Sequence, residues 1–185
     1  FAREEIAELC RGRFELESVL CSAKTGEGVD ELRSVVLRQL RATPAPAAAR
    51  HAALSVDRVF SVKGAGSVVT GTLVRGSLAV GAPVSVVGRR GTRAAAARGL
   101  HVHDKAVDVA AAPSRVAVNL SGLTLDEIDR GDVVTTDAAL TASNVLDVRL
   151  RLLKKLRDSE PALECYIGTA RSPARLQILR PETER

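Results

Sequence analysis

Apolar residues recur at helical spacing in one stretch near the N-terminus and at alternate positions through most of the chain after residue 52. Val29, Leu32, Val36 and Leu40 fall on one face of a helix that starts near Val29. Asp30 and Glu31 in its first turn and Arg38 and Arg41 in its last complement the helix dipole. Upstream, residues 3–11 read as the end of an amphipathic helix that Gly12 would stop. Leu16 to Cys21, Leu-Glu-Ser-Val-Leu-Cys, reads as a short strand. Residues 43–50, Thr-Pro-Ala-Pro-Ala-Ala-Ala-Arg, are a semi-stiff spacer. Everything before the spacer reads α/β, and everything after it reads β.

Beyond the spacer, short apolar runs are separated by glycine turns. Leu54, Val56, Phe60 and Val62 are expected on one face of a strand. Ser67–Val74, Val84–Val87, Arg115–Leu120 and Asp132–Thr135 are further strands. Ala94 to Ala97 has helix propensity, but a one-turn helix is marginal, so a strand is expected there too. Many short strands at this spacing predict a small closed barrel. From Val145 the alternation is sharpest: Leu146, Val148, Leu150 and Leu152, then Leu163, Cys165 and Ile167, then Ala174, Leu176 and Ile178. These predict the start of a second β-barrel, which forty-odd residues are too few to close. The expected order is therefore residues 1–42, the end of an α/β domain; 43–51, a linker; 52–141, a β-barrel; and 142–185, part of another.

Composition narrows the chemistry. The net charge is +5, which suits an anionic partner without identifying one. Aromatics are 2% with no Trp, which disfavours a single-strand nucleic-acid platform of stacked rings. No apolar run approaches the ~20 residues that span a bilayer, so no membrane role is expected. The three cysteines, Cys10, Cys21 and Cys165, are widely spaced, and a reduced, cytoplasmic setting is the simple reading. The chain starts Phe1-Ala2-Arg3-Glu4-Glu5 and contains no Met, and it reads as a fragment or processed chain.

Two stretches carry chemistry. Ser22-Ala23-Lys24-Thr25-Gly26-Glu27-Gly28-Val29-Asp30-Glu31-Leu32 sits at a strand-to-helix junction. It resembles the fifth guanine-recognition motif of small and translational GTPases. The resemblance implies that the Ala23 amide receives the guanine carbonyl oxygen while Ser22 and Lys24 hold the loop. No GxxxxGK[ST], DxxG or NKxD occurs, so the chain alone is not expected to bind or hydrolyse GTP. GTP with Mg²⁺ belongs to the implied full-length protein. The second stretch is Asp57-Arg58-Val59-Phe60-Ser61-Val62-Lys63-Gly64-Ala65-Gly66-Ser67-Val68-Val69-Thr70-Gly71-Thr72. It fails the dinucleotide fingerprint at Val69 and fits a hairpin with a tight Gly64-Ala65-Gly66 turn.

That hairpin resembles the opening of the second domain of translational GTPases, and of selenocysteine-specific elongation factors in particular. Leu78-Ala79-Val80-Gly81, Gly99–His103, Ser114–Leu120 and Asp129–Val134 continue the resemblance, and Tyr166–Ala170 and Ala174–Leu179 resemble the family's third domain. The resemblance implies a factor that carries selenocysteyl-tRNA to the ribosome, with a selenoprotein mRNA hairpin engaged by regions outside this chain. It places Asp57, Arg58 and Arg115 in the selenocysteine pocket. The chemistry is coherent: two guanidiniums favour a selenolate over a neutral serine hydroxyl, and Asp57 orients one of them. Adjacent strand residues point to opposite faces, so a shared pocket requires a bulge or a strand end. Pro113-Ser114 stands where the family usually has glycine-glutamine, and Tyr166 where many members have histidine.

His101 and His103 lie two apart, on one face if Leu100–His103 is a strand. No third ligand is evident, so a structural or tRNA-facing role is expected rather than a metal. Arg89, Arg90, Arg93 and Arg98 form a basic set that could meet phosphate, with a solvated turn as the plain alternative. Two other functions stay open. One is another translational GTPase, of the elongation factor Tu or initiation factor two gamma type. The other is a non-enzymatic β-barrel binding module.

Overall fold

The structure is a computed structural model that describes residues 4–6, 8, 17–44, 49–64, 66–150 and 163–177. The chain divides into two compact units, Phe1–Ala45 and Pro46–Arg185, and the division falls inside the proline-alanine spacer.

In the first unit, α1 spans Val29–Ala42. Gly28 precedes it with φ 72°, a left-handed conformation that glycine adopts at no steric cost. A Cβ there would lie 2.0 Å from the Leu20 carbonyl oxygen, so glycine lets the chain close back on itself. No residue of α1 is buried within this unit; Leu32, Val36 and Leu40 form an exposed apolar stripe. Glu4–Ile6 and Glu8 are helical, and the rest of the expected 3–11 helix lies outside the described residues. The expected strand at Leu16–Cys21 does not form: Glu17–Cys21 has no strand pairing, and Leu16 lies outside the described residues. A strand exists through its ladder, and the described part of this unit offers no neighbour to pair with.

The second unit is β. Its strands are β1 (Ala53–Val62), β2 (Gly66–Arg75), β3 (Ser77–Ala79), β4 (Pro83–Gly88), β5 (Gly91–Val102), β6 (Lys105–Val107), β7 (Val109–Ala111), β8 (Ser114–Ser121), β9 (Val133–Thr135), β10 (Leu163–Ile167) and β11 (Ala170–Ala174). The sheet order β4-β9-β1-β2-β8-β5 closes on itself through β4–β5, giving a six-stranded antiparallel barrel. The strand β6 extends from β5, β3 pairs with β7, and β10 with β11. Closure leaves the six strands without free edges. The interior is filled by Leu54, Val56, Val69, Leu73, Val86, Leu100, Val118, Leu120 and Val134, all nearly or fully buried. Burying each large aliphatic side chain contributes about 1.5–3 kcal/mol. The alanine run Ala94–Ala97 is strand, as expected, with Ala97 fully buried.

Three expectations are corrected here. Leu54 and Val56 face the core, but Phe60 and Val62 are 40% and 43% exposed, and Val59 packs inward instead. The cause is a bulge. Val56 pairs with Gly71 and Arg58 with Thr70, so Asp57 is the extra residue and the alternation flips after it. Secondly, β5 ends at Val102. His103 and Asp104 have φ of 49° and 62° and form the tight turn into β6, so His101 and His103 do not share a strand face. Thirdly, Val145–Leu150 makes no strand, and Val145, Leu146, Val148 and Leu150 are all more than half exposed. Alternation supplies a face but not a partner, and these residues find none among the described ones. Leu152 and Ile178 lie outside the described residues, and Leu176 follows β11 without pairing.

Candidate functional site

The loop before α1 is held by its own backbone. Ser22 N–H donates to the Glu27 carbonyl at 2.9 Å and Gly26 N–H to the Ser22 carbonyl at 2.8 Å. Ser22 Oγ accepts from Thr25 N–H at 3.2 Å. Ser22 is half-buried, while Ala23 and Lys24 are exposed at the turn. No hydrogen bond among the described residues takes up the Ala23 N–H. The loop therefore presents a fixed backbone donor to solvent, able to select a ligand carbonyl oxygen over an amino group.

The second cluster grows from the bulge in β1. Val56 is fixed from both sides, its N–H donating to the Asp132 carbonyl and its carbonyl accepting from Gly131 N–H, each at 2.9 Å. Opposite it, Gly71 is required: a Cβ would stand 2.1 Å from the Ser55 carbonyl oxygen. The extra residue turns the Asp57 carboxylate onto the outer face. It lies there beside Thr70 of β2 and Arg115 of β8, on two neighbouring strands. Both terminal nitrogens of Arg115 donate to Asp57, one to Oδ2 and one to Oδ1 at 2.9 Å. Thr70 Oγ1 donates to Oδ1 at 3.0 Å. The fork of Arg115, with help from Thr70 and from the field of Arg58, holds the Asp57 carboxyl below the usual carboxylate range. The same pair raises Arg115 above its ordinary value. The Arg58 side chain is exposed and makes no hydrogen bond or ion pair among the described residues. Asp57 neutralises Arg115 and fixes its plane, so Arg58 supplies the surplus positive charge. Phe60 and Val62 are exposed farther along the same strand, beyond the bulge.

The basic set separates. Arg93 is not a surface contact: its side chain is 14% exposed and pairs at 2.9 Å with Asp132, which is 3% exposed. Arg93 also donates to the Glu127 carbonyl, and the Asp132 carboxylate accepts from Asp129 N–H at 3.1 Å. This staples β5 to the turn before β9, a structural role that overturns its expected place among phosphate contacts. Arg90 is exposed and pairs with Asp129 at 2.9 Å. Arg89 and Arg98 are exposed, and Arg98 borders a shallow depression with Ser61, Ser67, Ser121 and Thr124. His101 is exposed on β5 and His103 in the following turn. The structure thus brings Asp57 and Arg115 together, with Arg58 next along β1 and close enough to bias the Asp57 carboxyl, and disperses the other basic candidates. Thr70 escapes sequence reading because its partner depends on a bulge that shifts the register by one residue.

Comparison with known proteins gives the setting. Residues 66–135 match the family model for elongation factor Tu domain 2. The chain is 41% identical over 156 residues to the selenocysteine-specific elongation factor of Desulfomicrobium baculatum, covering 81% of this chain and 24% of that protein. It is 33% identical over 162 residues to that of Haemophilus influenzae, covering 86% and 25%. The chain therefore spans about a quarter of the length of these relatives. Among solved structures, translation elongation factor SELB from Methanococcus maripaludis, apo form, aligns with TM-score 0.64 at 27% identity, over 74% of this chain and 30% of its own. A bacterial selenocysteine-specific elongation factor, EF-Sec, aligns over 97% of this chain and 30% of its own with TM-score 0.79 at 24% identity, a likeness of fold. The barrel is of the elongation factor Tu domain 2 type.

Proposed function

Because the chain is homologous over most of its length to a segment of selenocysteine-specific elongation factors, we propose that it acts within a GTP-dependent factor that delivers selenocysteyl-tRNA to the ribosome. In this reading the barrel reads the aminoacyl end. Residues 1–42 close a GTPase domain, 43–51 link it to the barrel, and 142–185 begin a third domain. The selenoprotein mRNA hairpin is engaged by regions outside this chain.

The observation that supports this reading best is the Asp57–Arg115 fork beside the unpaired Arg58. A selenol is ionised at neutral pH and a serine hydroxyl is not. A pocket with one surplus guanidinium favours the selenolate, because a charge-assisted contact contributes about 1.5–3 kcal/mol. That equals roughly ten- to a hundredfold discrimination. Thr70 and Asp57 keep Arg115 from swinging, so its remaining N–H groups meet the ligand at a fixed angle. At the loop, Ser22 and its hydrogen bonds orient the free Ala23 N–H towards a guanine carbonyl oxygen, with Lys24 beside it. The Methanococcus maripaludis factor forms a complex with the GTP analogue GPPNHP, and guanine nucleotide with Mg²⁺ would supply the conformational switch here too. The phosphate and Mg²⁺ groups are not among this chain's motifs.

The test is GTP-dependent protection of selenocysteyl-tRNA and seryl-tRNA from deacylation by the full-length factor, repeated with Arg58→Ala. Protection of selenocysteyl-tRNA should exceed that of seryl-tRNA, and the substitution should cut the preference by about tenfold or more. Equal protection of both by the unaltered factor would instead make it a general aminoacyl-tRNA carrier of the elongation factor Tu type.

A further inference from the structure

The carbonyl of Val56, the residue just before the bulge, accepts a second hydrogen bond. Thr169 Oγ1, at the tip of the β10–β11 hairpin, donates to it at 2.6 Å. Thr169 is 113 positions away in sequence. Two glycines allow the hairpin tip to reach so close. A Cβ on Gly131 would lie 2.8 Å from the Ala170 Cα, and one on Gly168 would lie 3.2 Å from Ser55 Oγ. Gly131 is also the residue whose N–H makes the other hydrogen bond to Val56 O. The hairpin tip, the Gly131 turn and the β1 bulge thus meet at one backbone carbonyl. The next two side chains along β1 are Asp57 and Arg58.

A β-bulge is a weak point in its ladder, because the extra residue has no cross-strand partner. Its backbone dihedrals decide where Asp57 and Arg58 point. A hydroxyl bonded to the preceding carbonyl restrains the Val56–Asp57 peptide plane and thereby those directions. From this we infer that Thr169 is a positioning residue for the anion-reading cluster, a latch through which the β10–β11 hairpin holds the bulge in its selective geometry. The inference rests on the pocket reading given above.

The experiment compares Thr169→Val, which keeps shape and removes the donor, with Thr169→Ser, which keeps the donor, both in the full-length factor. The readout is the ratio of selenocysteyl-tRNA to seryl-tRNA affinity, with Arg58→Ala alongside. Thr169→Val should lower the ratio about threefold to tenfold, the size of one hydrogen bond. Thr169→Ser should restore it, and GTP affinity should stay unchanged in both. Hydrogen exchange gives a second readout: the amides of Asp57 and Arg58 should exchange faster in Thr169→Val while those of β2 and β8 do not. A lowered melting temperature with an unchanged ratio and unchanged exchange at Asp57 and Arg58 would overturn the latch. Loss of the ratio in Arg58→Ala but not in Thr169→Val overturns the latch and leaves the pocket. Loss in neither overturns both.

Discussion

Asp57 is an anion next to Arg58 in sequence and paired with Arg115, and its value lies in what it does to Arg115. It takes both terminal nitrogens of the guanidinium and is itself held by Thr70. This arrangement has a pH signature. Arg115 first, then Thr70 and Arg58, lower the folded-state pKa of Asp57 below its unfolded value of about 3.9. A depressed carboxylate contributes stability that is present above the unfolded value and is lost as pH falls through the folded one. Arg115 is 52% exposed, so solvent screening limits the contribution to about 1 kcal/mol or less. Thermal unfolding of the chain from about pH 5 to about pH 2 should therefore fall less steeply for Asp57→Asn than for the unaltered chain. Identical acid limbs would show that the fork does not persist in solution.

At the scale of elements, the barrel is tied by a staple that no periodicity displays. Arg93 on β5 and Asp132 before β9 form a pair with 14% and 3% of their side chains exposed. Gly88 leaves the room: a Cβ there would sit 1.7 Å from Asp132 Oδ1. Removing one partner leaves a buried charge uncompensated, at a cost of about 3–5 kcal/mol. Arg93→Met should lose that much in urea unfolding, whereas Arg89→Met, at an exposed position, should lose less than about 0.5 kcal/mol. Equal, small losses would mean that Asp132 is solvated. The contrast shows what the sequence carries. The six barrel strands were legible from apolar alternation and glycine turns, and so was α1 from its spacing, while the short strands β3, β6 and β7 were not. Four arginines within ten residues looked alike, because burial and partners are set by residues some forty positions away. Among the described residues, Glu17–Cys21 and Val145–Leu150 form no strand for a related reason. Alternation describes a face, while a strand is made by its neighbour.

At the scale of the whole molecule, closure of six antiparallel strands places Asp57, Thr70 and Arg115 side by side from β1, β2 and β8. That a pocket shared by Asp57 and Arg58 would require a bulge or a strand end was readable in advance, since adjacent strand residues point to opposite faces. The effect of the bulge on Phe60 and Val62 was not, because a one-residue slip is invisible until the pairing is known. The Thr169 contact was equally hidden, as it joins residues of two separate β segments. In the proposed function the surplus positive charge of Arg58, beside an Arg115 neutralised by Asp57, reads the ionisation state of the aminoacyl side chain. The most direct test of this reading is the affinity of the full-length GTP-bound factor for cysteinyl-tRNA and seryl-tRNA, both on the selenocysteine tRNA, between about pH 7 and pH 9. The thiol ionises near about pH 8.5 and the hydroxyl does not. Cysteinyl-tRNA affinity should rise about tenfold across that range while seryl-tRNA affinity stays flat, and the rise should vanish in Arg58→Ala. Flat profiles for both would contradict recognition by charge.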